Sequence, residues 1–368
     1  MLDTAQATAA LERGEVANDD DRPGDALADL DRALATFEAG HDVALHLRAL
    51  SALGESHRLL GHWDLAEQLL RRRLALAERD GDDDDRARAL GELGHALYDA
   101  GRPGAAVPLY NRALAIDDQL DRDEHDRGTR NRIHNLALAY GDLGDYPHAI
   151  ELLERVLAVD EAEQPNTLHT ATTLHNLALQ LRDNGDYDRA KELFGRALQI
   201  KITELGSRNP QLAPTLNGLA GTLQMLREYD KGARLYRDVI DITKGMETSA
   251  RAIALSELAT IETVQKHYPE AQRHFDDALA LLRRIYPDPD GHAEIVRVLI
   301  KRTVADLGQR DIRAAERDTG AVLVMVGRVE QSDPAHFVDW LADNWDDAGH
   351  AQRAAELRSR AKVLRSKP

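Results

Sequence analysis

The sequence predicts an all-α protein, a right-handed superhelical solenoid of stacked antiparallel helical hairpins. Three observations predict it. Small residues recur at Ala26, Ala66, Ala106, Ala149, Ala190, Gly232 and Ala271, with spacings of 40, 40, 43, 41, 42 and 39 residues. A large apolar or aromatic residue follows each one four positions later, at Leu30, Leu70, Tyr110, Leu153, Phe194, Tyr236 and Phe275. The apolar residues between these marks keep a helical period. In TTLHNLALQLRDNGDYDRAKELFGRALQI, which starts at Thr172, Leu174, Leu177, Ala178 and Leu181 share one helical face, and Ala190, Leu193, Phe194, Ala197 and Leu198 form a second stripe. A hairpin built this way leaves one apolar side uncovered, and stacking on the next hairpin covers it.

Each element follows from the same grammar. Residues 1–46 read as a degenerate N-terminal hairpin or cap: 1–22 fit the repeat poorly, and ANDDDRPG supplies a turn. Residues 47–291 read as a regular array of about six hairpins, with first-helix leucines at Leu53, Leu93, Leu136, Leu177, Leu219 and Leu258. Gly185 stops one first helix by taking positive φ, and Asp186 caps the helix that follows. The acidic runs ERDGDDDDR (78–86) and DDQLDRDEHDRG (117–128) read as solvated loops between hairpins; neither has the spaced oxygen ligands and glycine of a calcium loop. Residues 292–368 read as degenerate hairpins and a C-terminal cap. There a helix runs from about His292 to Leu307, and a more apolar one carries Ala321, Val322, Val324, Met325 and Val326. Pro334 then opens AHFVDWLADNW, and AQRAAELRSRAKVLRSKP closes the chain with a basic bias suited to a helix C-terminus. The whole predicts about eight or nine hairpins.

Composition narrows the function. The 368 residues carry a formal charge of −17 and no cysteine. The acidic surface argues against nucleic acid or an anionic membrane as the main partner. The missing cysteines exclude disulfides, zinc–thiolate and iron–sulfur sites, and a thiol nucleophile. Aromatics make up only 4%, so the core must be aliphatic. The opening MLDTAQATAALERGE lacks the basic and apolar regions of a secretory signal, and no run approaches the length of a spanning helix, which together predict a cytoplasmic protein.

The segment from Thr173 to Ala220, TLHNLALQLRDNGDYDRAKELFGRALQIKITELGSRNPQLAPTLNGLA, resembles tetratricopeptide repeat proteins. The resemblance extends over about residues 45–282 and is strongest to the longer-unit variety of kinesin light chains and many bacterial regulatory proteins. It implies that first helices line a concave surface where asparagines hold the backbone of an extended peptide. By that match Asn135 and Asn176 occupy the second asparagine of the family's LNNLA, and Asn217 the first asparagine of the next unit. His134 and His175 stand where the first asparagine is usual, and Gly218 stands where the second would be.

The side chains fit that use. Asn176 follows Leu174 by two positions and so points off the leucine stripe, and an amide can bridge a peptide C=O and N–H. Alternatively, such an asparagine bonds the adjacent helix within the stack. Arg182 shares the face of His175. Arg48 and Arg88, on earlier first helices, suit a ligand carboxylate through paired bonds or a neighbouring acid of the chain. Glu92 and His95 fall on the same predicted surface. The leading expectation is therefore a protein- or peptide-binding scaffold, regulatory or adaptor in kind, with no cofactor.

Two other readings stand beside it. Bacterial peptide-pheromone sensors use similar arrays, usually behind a helix-turn-helix; residues 1–45 are acidic and show no such module, which leaves a stand-alone sensor acting on a protein partner. An enzyme or metal protein would need Glu92, His95, His134 and His175 to converge, and the sequence shows no HExxH, phosphate loop or serine elbow.

Overall fold

The computed structural model describes residues 2–329 and 333–366; Lys367 and Pro368 of the basic tail lie outside them. Among the described residues there are eighteen α-helices and no strand, which pair into nine hairpins. The chain divides into two compact units, Met1–Pro165 and Asn166–Pro368.

The first unit holds four hairpins: α1 (Thr4–Asp19) with α2 (Pro23–Glu38), α3 (Val43–Leu59) with α4 (Trp63–Asp80), α5 (Asp83–Asp99) with α6 (Pro103–Gln119), and α7 (Arg127–Asp142) with α8 (Tyr146–Glu163). The second holds five: α9 (Leu168–Asp183) with α10 (Tyr187–Leu205), α11 (Ala213–Met225) with α12 (Tyr229–Ile242), α13 (Ser249–Val264) with α14 (Tyr268–Ile285), α15 (Ala293–Gly308) with α16 (Ile312–Met325), and α17 (Pro334–Asp347) with α18 (Ala351–Arg365). Within each unit the first helices of successive hairpins pack against one another, and each second helix packs on its own partner and on the next first helix. The first helices therefore form one continuous wall of each unit.

The repeat marks are the core. Ala26, Ala66, Ala106, Ala149, Ala190 and Ala271 are fully buried, as are Leu30, Tyr110, Leu153, Phe194 and Phe275. Of the first-helix leucines, Leu53, Leu93, Leu136, Leu177 and Leu258 are buried and Leu219 is half-buried. The turns use the expected chemistry. Gly185 takes φ +89° after α9, and the Asp186 carboxylate accepts the Arg189 backbone N–H at 3.3 Å at the start of α10. Pro334 opens α17 at its first turn, where a missing N–H costs nothing.

The first acidic run is not the solvated loop expected, and the second is one only over residues 120–126. Glu78–Asp80 close α4 and Asp83–Arg86 open α5, so only Gly81 and Asp82 link the helices. Asp82 caps α5 by accepting the Asp85 N–H at 2.8 Å, and three further aspartates sit in its first turn, where the helix dipole favours negative charge. In the second run Asp117 belongs to α6 and is fully buried against Arg132 of α7, with N–O distances of 2.7 and 2.5 Å.

Candidate functional site

In the second unit, α9, α11 and α13 enclose a cavity of about 460 Å³. Helical spacing chooses its wall. His175, Leu179 and Arg182 fall at i, i+4 and i+7 on α9; Asn217, Gly221 and Gln224 repeat that spacing on α11; Ile253 and Glu257 are four apart on α13. Tyr236 reaches in from α12, and Leu179, Met225 and Ile253 make the apolar part, with Met225 55% and Ile253 39% exposed.

Two polar atoms at this cavity are buried without a hydrogen-bond partner among the described residues. One is His175 Nδ1 and the other Asn217 Oδ1. The His175 ring stands edge-on to Phe194, with centroids 5.4 Å apart. Burial, followed by the nearby Lys201 and Arg182 charges, lowers its pKa to about 4, so the ring is neutral at pH 7. Asn217 donates from Nδ2 to the Ala250 carbonyl at 2.9 Å, which ties α11 to α13. That bond is the stacking role that was the alternative for these asparagines, and the side-chain oxygen is left buried without a donor among the described residues. Arg182 is held by Asp183 through Nε at 2.8 Å, and Glu257 pairs with Lys301.

The buried histidine has a pH signature. An unfolded histidine titrates near 6.5, and the folded one near 4. Above about pH 6.5 both states leave it neutral. Between about 6.5 and 4 the unfolded chain takes up a proton that the native state refuses, so stability falls as pH falls through that window. Urea midpoints at pH 7 and pH 4.5 should therefore show a smaller acid loss in His175→Gln than in the wild type. The same acid loss in both would assign His175 an ordinary pKa.

Gly218 explains one departure from the repeat. A Cβ built there would lie 2.5 Å from the Phe194 ring, so asparagine cannot occupy this position without moving a fully buried phenylalanine. Asn176 lies half-buried on α9 next to His175 and does not line this cavity.

The first unit places the remaining candidates differently. Asn135 and His134 are half-buried on α7, and among the described residues the Asn135 amide has no hydrogen-bond partner. Arg48, Arg88 and Glu92 do come together, around a cavity of about 470 Å³. Both guanidiniums are engaged by carboxylates of the chain: Arg48 is held by both oxygens of Glu15, and Arg88 by Asp84. His95 Nε2 lies 3.7 Å from Asp99, which also takes Arg58. Burial, then the Arg58 charge, lowers the His95 pKa. Among the described residues no group of three or more His, Asp or Glu side chains is arranged to hold a metal ion.

Sequence reasoning passed over Arg73, which lines the first-unit cavity and is 3% exposed. The signal was present. Ala66, Leu69, Leu70, Arg73, Leu74 and Ala77 lie on one helical stripe, and an arginine inside an apolar stripe is anomalous. Tyr236 was assigned to the core, where it is, but its hydroxyl also reaches the cavity near Gln224 Oε1, 3.5 Å away.

Among the described residues no helix is long and apolar enough to cross a membrane. No curated protein matches the chain in sequence. Solved structures do match in fold. The apo form of RapI is 14% identical, with 97% of each chain covered and a TM-score of 0.71. A Rap protein complexed with competence and sporulation factor is 12% identical, with 98% of each covered and a TM-score of 0.65. NprR in complex with its cognate peptide NprX is 12% identical, with 100% of each covered and a TM-score of 0.60. Family models for the tetratricopeptide repeat match residues 5–79, 85–162 and 169–245, and a further one matches 251–294. The first three blocks each span two observed hairpins, and together the blocks cover most of the chain, so the protein belongs to the tetratricopeptide repeat family.

Proposed function

We propose that this protein is a regulatory or adaptor scaffold that binds an extended segment of another protein, or a short peptide, on the first-helix wall of its second unit. The observation that carries this reading is the pair of unpartnered buried atoms, Asn217 Oδ1 and His175 Nδ1, at a cavity with an apolar side. A peptide backbone offers both an N–H for Asn217 and a group for the neutral imidazole, while Leu179, Met225 and Ile253 receive an apolar side chain. Arg182 and Glu257 flank the cavity, each already paired within the chain, with Asp183 and Lys301. Solved structures of the same fold support the reading, since one is in complex with its cognate peptide and another with competence and sporulation factor.

Asn176, beside His175 on α9, adds a further amide on that wall, and Asn135 on α7 offers one on the first-helix wall of the first unit. A stand-alone regulator that senses a peptide and acts on a protein partner is a version of the same function, and it shares the same test.

Peptides selected from a random library on the full-length chain supply the probe, and calorimetric titration supplies the affinity. His175→Ala should weaken binding by several-fold or more, and Asn135→Ala with Asn176→Ala by at least several-fold, with melting curves close to wild type. One lost hydrogen bond costs about 0.5–1.5 kcal/mol, a factor of roughly 2 to 12. Full affinity in both variants, for every selected peptide, would leave the first-helix wall without a role and favour an adaptor that binds through its outer surface.

A further inference from the structure

The first-unit cavity has a different chemistry. Its wall carries five carboxylates and three guanidiniums, and two of those guanidiniums, Arg48 and Arg88, are engaged by Glu15 and Asp84. Arg73 is the third. It is 3% exposed, its Nε lies 3.2 Å from Glu92 Oε2, and among the described residues Nε and Nη1 have no acceptor in hydrogen-bonding geometry. Glu92 Oε2 is likewise buried without a donor. The pair is in ionic contact, each partner keeps unfilled hydrogen-bonding capacity, and both residues line the cavity. Burial pushes the Glu92 carboxyl up and the Arg73 guanidinium down; the Arg73 side chain is 4% exposed and the Glu92 side chain 32%.

We propose that this cavity binds a free α-amino acid, with its carboxylate on the Arg73 guanidinium and its ammonium group on Glu92 and Asp85. The match is one of spacing and of charge. Adjacent guanidinium and carboxylate groups 3.2 Å apart complement a ligand whose anion and cation share a single carbon. A peptide carries its termini on different residues and cannot cover both groups at once. A bare anion meets a wall with two more carboxylates than guanidiniums, and a bare cation leaves the Arg73 donors unfilled. Asp85 lines the same cavity beside Arg73, and its side chain has no ion-pair partner among the described residues, so it adds a second acceptor for the ammonium group. Ala44, Leu47 and Ala52 form an apolar patch for the ligand's side chain, and the volume lies within the range of small-molecule sites.

The experiment titrates the full-length chain with each of the common L-amino acids in turn, by calorimetry or ligand-observed NMR. At least one should bind with a Kd below about 1 mM. The N-acetyl and the C-amide derivatives of that amino acid, which each lack one charge, should bind tenfold weaker or worse. Glu92→Gln, nearly the same shape, should also lose tenfold or more, as should Arg73→Lys, while His175→Ala in the second unit should leave binding unchanged. If Arg73→Lys does not fold, the two derivatives and Glu92→Gln decide. The proposal is overturned if no amino acid binds below that limit, if either derivative binds as tightly as the parent, if a dipeptide of the same residue does so, or if Glu92→Gln retains full affinity.

Discussion

Asp117→Ala should cost the first unit about 3–5 kcal/mol, because it strands a buried guanidinium without its counter-charge. Asp117 is fully buried on α6, and the Arg132 side chain that meets it from α7 is 9% exposed. The bond is a bidentate fork at 2.7 and 2.5 Å and joins the third hairpin to the fourth. Removing the carboxylate leaves a guanidinium that cannot lose its proton and cannot reach water without opening the seam. A paired substitution separates that penalty from the value of the pair itself. Asp117→Ala combined with Arg132→Met should recover most of the loss, because an apolar pair of similar volume often matches a buried ion pair or improves on it. Urea unfolding of the wild type, the single variant and the double variant measures both terms. A single-variant loss under about 1 kcal/mol, or a double variant no better than the single, would mean that the seam is hydrated and the pair is not a structural tie.

That seam marks where the sequence was legible and where it was not. The hairpins could be read because each depends on a local pattern: an alanine at the close approach, a large residue one turn later, a leucine stripe on the partner helix. All of these act within about 40 residues, and each repeat checks the others. The partners of charged residues could not be read the same way. Asp117 looked like part of a solvated acidic loop because its neighbours in sequence are acidic, whereas its burial is decided by Arg132, which arrives from the next hairpin. For Arg48 and Arg88 the sequence left a ligand carboxylate and a neighbouring acid of the chain both open, and the acids are Glu15, in the preceding hairpin, and Asp84, one turn back.

The candidate site was legible in part. Spacing placed His175 and Arg182 on one face of α9, and the family match added Asn217, and these three do meet at one cavity. What the sequence left undecided was the division of labour within one side chain. Asn217 donates its amide N–H to the stack, while its side-chain oxygen has no hydrogen-bond partner among the described residues, so the stacking bond uses only part of that side chain. Arg73 was not legible as a cavity residue because it lies on a second helix, inside the apolar stripe that defines the hairpin, rather than on the first-helix face where the repeat places polar side chains.

The contact that makes the hairpins also predicts its own sensitivity. Ala190→Leu should destabilise the second unit by roughly 1–3 kcal/mol, whereas Asp188→Ala should stay within about 0.5 kcal/mol apart from a small helix-end effect. Ala190 is fully buried on α10, the helix that packs on α9, four residues before Phe194, which is also fully buried. Phe194 has no room to yield, because the same ring already closes on the backbone of Gly218 in the next hairpin. Extra methylenes at Ala190 must therefore push α9 and α10 apart, and α9 carries His175 and Arg182 to the cavity. Asp188 is only two residues away but exposed, in the first turn of α10, where its charge favours the helix dipole and touches no core atom. Denaturant midpoints of the two variants, measured side by side, read the difference directly. Because α9, the helix displaced by the overpacking, bears one wall of the cavity, Ala190→Leu should weaken peptide binding at a temperature where it is still folded, and Asp188→Ala should not. Equal and small shifts in both midpoints would show that the close approach lies elsewhere on α10 and that the 40-residue register is misplaced by at least one residue.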